Sequence, residues 1–123
     1  MDGVSEYKLL SLELRTLLAE AIKRSQIAEA GDYEPRRLFA LTQVLGCRDL
    51  LQYLIDNDES AFGEVLEATL EDQETQYWEA WKDDNRERMT IALAHRRLLK
   101  RLIRRLTDPR RRQMLLPQLN PNL

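Results

Sequence analysis

Residues 91–106 read IALAHRRLLKRLIRRL, and this stretch decides the fold. Ile91, His95, Leu98, Leu99, Leu102 and Leu106 recur at spacings of three and four, the repeat of one α-helix face. Arg96, Lys100 and Arg104 form a row at spacing four on one flank, and Arg97, Arg101 and Arg105 form a second. A strand would instead alternate apolar and polar residues with period two, and no such run exists in the chain.

The same signature extends outward from this segment. Leucine occurs 23 times, against 14 for Val, Ile and Thr together, so good helix formers dominate and strand formers are scarce. A first helix is expected from near Ser5 to about Ala30, with Leu10, Leu14, Leu17, Leu18, Ala21 and Ile22 as its stripe and Gly31 as its stop. Pro35 opens a second helix, whose buried face is read as Leu38, Leu41, Val44 and Leu45 and which Gly46 should end. A third runs from Arg48 to Asp56 with Leu50, Leu51, Leu54 and Ile55, and a fourth carries Phe62, Val65, Leu66, Thr69 and Leu70. The polar stretch 71–88 holds no Gly or Pro and breaks near Asp83-Asp84-Asn85. Thr107-Asp108-Pro109 marks a boundary, with Asp108 as cap and Pro109 at the first helical position. The expectation is an all-α compact bundle of about five to six helices, with residues 1–116 as a single domain and 117–123 as an extended C-terminal tail.

Composition removes several classes of function. One Cys and one His cannot supply a structural zinc site, nor can one Cys form an internal disulfide, so neither metal nor disulfide framework is expected. Four glycines in all leave no Gly-rich loop to cradle a nucleotide, and no Ser-His-Asp arrangement is visible. No cofactor and no small-molecule substrate are therefore expected. No stretch approaches the roughly 20 apolar residues of a membrane span, and the start lacks the marks of a secretion signal. A cytoplasmic setting with no membrane role is the expectation.

The net charge of −2 hides a strong asymmetry. Residues 1–92 carry 10 basic and 20 acidic side chains, whereas residues 93–123 carry nine basic ones and a single acid, Asp108. Neighbours in each arginine row rise roughly 6 Å along the helix axis, close to the step between successive phosphates. Arg110, Arg111 and Arg112 prolong the patch, and the arginine fork grips phosphate bidentately. Arg96, Arg97, Lys100, Arg101, Arg104, Arg105, Arg110, Arg111 and Arg112 thus form a candidate surface for RNA or single-stranded DNA, held by its backbone without sequence preference. Residues 91–112 contain no Asn, Gln, Phe, Tyr or Trp, so base reading and base stacking must come from elsewhere. The competing reading is internal: acidic helices lie beside the basic one and neutralise it.

Three other clusters bear on function. Tyr77, Trp78 and Trp81 interrupt a polar stretch at helical spacing and would anchor a protein partner if exposed. Glu64, Glu67, Glu71 and Glu74 line one face, and with those rings they support the alternative of an adaptor or inhibitor that binds a basic protein. Arg88 and His95, with six residues between them, resemble the Arg–His pair of HEPN-type ribonucleases, which are small helical bundles. That resemblance implies His95 as a base in RNA cleavage, although Met89 stands where the family places a polar residue. A lone His on an apolar stripe is read first as a packed residue, and Cys47 as a small buried hydrophobe. The segment from Leu41 to Ile55 has the outline of a helix-turn-helix but too little positive charge to approach a duplex. The general profile resembles the small helical subunits of CRISPR effector complexes. The sequence is therefore read as a non-catalytic, nucleic-acid-binding subunit or accessory factor of a larger assembly.

Overall fold

The computed structural model describes residues 6–31, 34–57 and 59–119, and every regular element among them is helical. The helices are α1 (Glu6–Glu29), α2 (Glu34–Asp56), α3 (Phe62–Lys82), α4 (Arg86–Thr107) and α5 (Pro109–Leu119), with a single 3-10 turn at Glu59–Ala61 before α3. The chain is an all-α bundle. α4 is the central element and packs against each of the other four α-helices. Leu10, Leu14 and Leu17 of α1, Cys47 and Leu54 of α2, Phe62 and Leu66 of α3, and Leu98, Leu99 and Leu102 of α4 make one core. No helix among the described residues is long and apolar enough to cross a membrane.

The terminators act through identifiable bonds. At the end of α3, the Asn85 amide donates to the Ala80 carbonyl at 2.8 Å and the Asp84 amide to that of Trp81 at 3.1 Å. This is a Schellman closure, and it puts Asp84 in the left-handed region at φ 52°. The Asn85 side chain then caps α4 by accepting from the Arg88 amide at 3.1 Å. Asp108 caps α5 in the same way, accepting from the Arg110 amide at 3.0 Å. The start expected at Ser5 lies outside the described residues.

Gly46 does not end a helix. α2 runs through it without a break, which removes the helix-turn-helix outline. A glycine inside a helix costs about 1 kcal/mol relative to alanine, and here close packing offsets it. A Cβ at this position would lie 2.9 Å from Leu98 Cδ2 and 3.3 Å from His95 Nδ1, so α2 and α4 approach closely at Gly46. Beside it, buried Gln43 donates to the Ala94 carbonyl at 3.3 Å and accepts from Arg24 Nη2 at 3.0 Å, tying three helices together. One unbroken helix also changes which residues face inward. Ala40, Val44, Cys47 and Leu54 are buried, whereas Leu41 and Leu45, expected on the buried face, are exposed, as is Ile55.

The C-terminal end differs from the expectation as well. Pro117 lies inside α5, which continues to Leu119, so the expected extended tail does not begin at 117, and residues 120–123 lie outside the described residues. Leu115 is buried against the bundle.

Candidate nucleic-acid interface

The nine basic residues of the C-terminal segment divide into two groups. Four are engaged internally. Arg111 seats a bidentate pair on Glu13 of α1, with Nε donating at 2.7 and 2.9 Å and Nη2 at 2.8 Å. Glu13 is fully buried, and its hydrogen bonds hold the Arg111 guanidinium above its ordinary pKa. Arg105 donates to both oxygens of Glu20 at 2.9 and 3.0 Å. Arg96 and Lys100 share Glu74 of α3, at 3.3 and 3.8 Å. The acidic helices do neutralise part of the basic one, and α1 supplies more of that charge than its sequence stripe announced.

In the other group, three arginines of α4 stay open. Arg97, Arg101 and Arg104 have no ion pair with a described residue, and Arg97 and Arg104 are exposed. They lie within one narrow arc of α4, which continues back through Leu93 and Thr90 to exposed Arg86. Arg110 is exposed at the start of α5, and Arg112 is half-buried and held by contacts. Behind Arg101, positive charge accumulates. The pKa of half-buried Arg24 on α1 is lowered, first by burial and then by Arg101, with a smaller push from Arg105, while Glu20 offsets them in part. Arg105 Nη1 is itself buried without an acceptor among the described residues.

The aromatic component that α4 lacks is supplied by its neighbours. Arg96 lies over the Tyr77 ring at 5.6 Å, and Arg97 over the Phe39 ring of α2 at 5.5 Å. Tyr77, Trp78 and Trp81 form an edge-to-face ladder, with centroids 5.3 and 5.9 Å apart. The two tryptophans are 53% and 58% exposed, whereas Tyr77 is half-buried. A groove runs between α3, α4 and the start of α2. Its widest part, about 710 Å³, is lined by Tyr77, Trp81, Asp84, Arg86, Met89 and Leu93. It continues past Pro35 and Thr90 into hollows of about 290 Å³ beside Glu34 and Glu87, and about 330 Å³ beside Phe39 and Arg97.

Arg86, Phe39 and Arg24 were not singled out in the sequence. Each lies in the acidic part of the chain, and only the packing of α1, α2 and α3 on α4 brings them to the arginine stripe. Arg88 is engaged by α3: it donates to Gln76 at 3.3 Å and pairs with Asp83 at 3.6 Å and Glu79 at 3.9 Å. It shares a hollow of about 230 Å³ with His95. Burial lowers the His95 pKa, against a weaker upward pull from Asp49, so the ring is neutral at pH 7. Cys47 is fully buried and its thiol is pushed up to about 11, again chiefly by burial, so it is inert near neutral pH. Glu64, Glu67 and Glu71 remain exposed on α3. Comparison with family models, characterised proteins and solved structures finds no match.

Proposed function

We propose that the chain binds nucleic acid by its phosphate backbone, as a non-catalytic subunit or accessory factor, through the open face of α4. The observation that carries this reading is the segregation of charge on that helix. Among the described residues, Arg97, Arg101 and Arg104 stay without carboxylate partners although acids are plentiful, while Arg96, Lys100, Arg105 and Arg111 have them. Like charges at spacing four repel, and crowding against Arg24 adds to that cost. A polyanion along the stripe reverses the sign of both terms.

The phosphate-contacting set is accordingly Arg97, Arg101 and Arg104, with Arg110 beyond the α4–α5 turn. The test is fluorescence anisotropy with labelled single-stranded RNA and DNA at two salt concentrations. Affinity should fall steeply with salt, and the slope of log K against log salt should become shallower by about 2 when Arg97, Arg101 and Arg104 are changed to Gln. The Arg96→Gln/Lys100→Gln variant should bind nearly as the parent does. Absence of binding at low salt overturns the proposal.

A second reading draws on the exposed Trp78 and Trp81, which fit the anchors of a protein interface. With the acidic face Glu64, Glu67 and Glu71, they would engage a basic partner. That reading expects binding lost on Trp78→Ala or Trp81→Ala but retained in the triple arginine variant.

A further inference from the structure

We infer that the wide end of the groove holds one unpaired base of a single strand, stacked on Trp81 and Tyr77, while the flanking phosphates run onto the α4 stripe. The inference rests on the nucleic-acid reading above and specifies which form of nucleic acid the site takes.

The groove has the composition such a base requires. Tyr77 and Trp81 supply π-faces, and Met89 and Leu93 supply the apolar and polarisable remainder of the lining. At about 710 Å³ it lies in the size range of small-molecule pockets. A duplex keeps its base faces stacked inside and offers nothing to such a cleft. An unpaired base turned out of the strand offers both faces.

Charge fixes the orientation. Asp84 stands on the rim at the Trp81 end, held there by the left-handed backbone of the α3 closure. An ionised carboxylate only accepts hydrogen bonds, so it repels a phosphate and receives the N–H groups of a base edge. The other end of the groove opens at Arg97, where the stripe is densest in cations, with Arg101 and Arg104 following. Arg86 and Arg97 are eleven residues apart, about 16 Å along the axis, which leaves room for a base between two backbone contacts. Glu34 and Glu87 line the middle hollow, and Arg37 engages Glu34 at 2.9 Å.

The chain has only two tryptophans, Trp78 and Trp81, and both lie at this site, so intrinsic fluorescence reports on it directly. The experiment titrates the full-length protein with a 12-nucleotide single strand, the matching duplex, and an abasic strand with the same backbone, all at one low salt concentration. Expected are quenching by the single strand alone and an affinity for it on the order of tenfold above the other two. Trp81→Phe should keep most of that preference. Trp81→Ala should lose it while leaving the salt slope unchanged, and circular dichroism checks that this surface variant is folded. Equal, salt-sensitive affinity for all three ligands with unchanged fluorescence overturns the base site and leaves backbone binding standing. Absence of binding to any of the three overturns both.

Discussion

Arg104 and Arg111 stand seven residues apart in one arginine-rich run. Arg111 is clasped by a buried carboxylate, while Arg104 has no ion-pair partner among the described residues. The same division runs along α4. Its seam side carries His95, Leu98, Leu102 and Arg105 against α1 and α2. Its open side carries Arg86, Leu93, Arg97, Arg101 and Arg104. A charge on the seam side is part of the folding machinery, because removing one partner strands the other away from water. On the open side the same residue type contributes little to stability and is available to a ligand. Residue type and linear density do not separate these roles; the position of each side chain around the helix does.

The largest expected effect tests that division directly. Arg111→Gln leaves fully buried Glu13 without its counter-charge and should cost about 3–5 kcal/mol in urea unfolding. Arg104→Gln should change stability by less than about 0.5 kcal/mol. Comparable losses in the two variants would break the comparison. Next comes Gly46→Ala, which improves helix propensity but drives a methyl group into Leu98 and His95. It should destabilise by about 1–3 kcal/mol, with little change in nucleic-acid affinity at temperatures where it is folded. A stabilised variant would mean that the seam is looser than its geometry.

A smaller effect concerns pH. Burial holds the His95 pKa below its unfolded value of about 6.5. The unfolded chain therefore binds the proton first, so this contribution to stability is complete above pH 6.5 and is lost as pH falls below it. The slope is at most about 1.4 kcal/mol per pH unit. Thermal unfolding between pH 7.5 and 5.5 should show this decline, and His95→Gln should flatten it. A further small effect lies at the α3–α4 turn. Asp84→Gly relieves the left-handed residue and should raise stability by about 0.5–1 kcal/mol.

Much of the fold is legible in the sequence because its signals are local. The leucine stripe of α4, the break at 83–85 and the Asp108-Pro109 start depend on residues within a turn or two of each other. Gly46 is misread for the opposite reason. Its local signal says stop, and the tertiary contact with Leu98 and His95 overrides it. The division of the arginines could not be read from spacing, since it depends on which acids of α1 and α3 lie opposite. One trace of it was present. Glu13 falls midway between Leu9 and Leu17 around the helix, and an acid inside an apolar stripe calls for a cation from a distant part of the chain. The groove was half legible: the Tyr77–Trp81 cluster stood out, but nothing in the sequence set it beside Arg86 and Leu93.

The Glu13–Arg111 clasp closes a loop of 98 residues and joins α1 to α5. With 11 residues, α5 is too short to persist as an isolated helix in water. Its amide hydrogens should therefore exchange with solvent whenever α5 leaves the bundle, and opening the clasp by Arg111→Gln should speed that exchange.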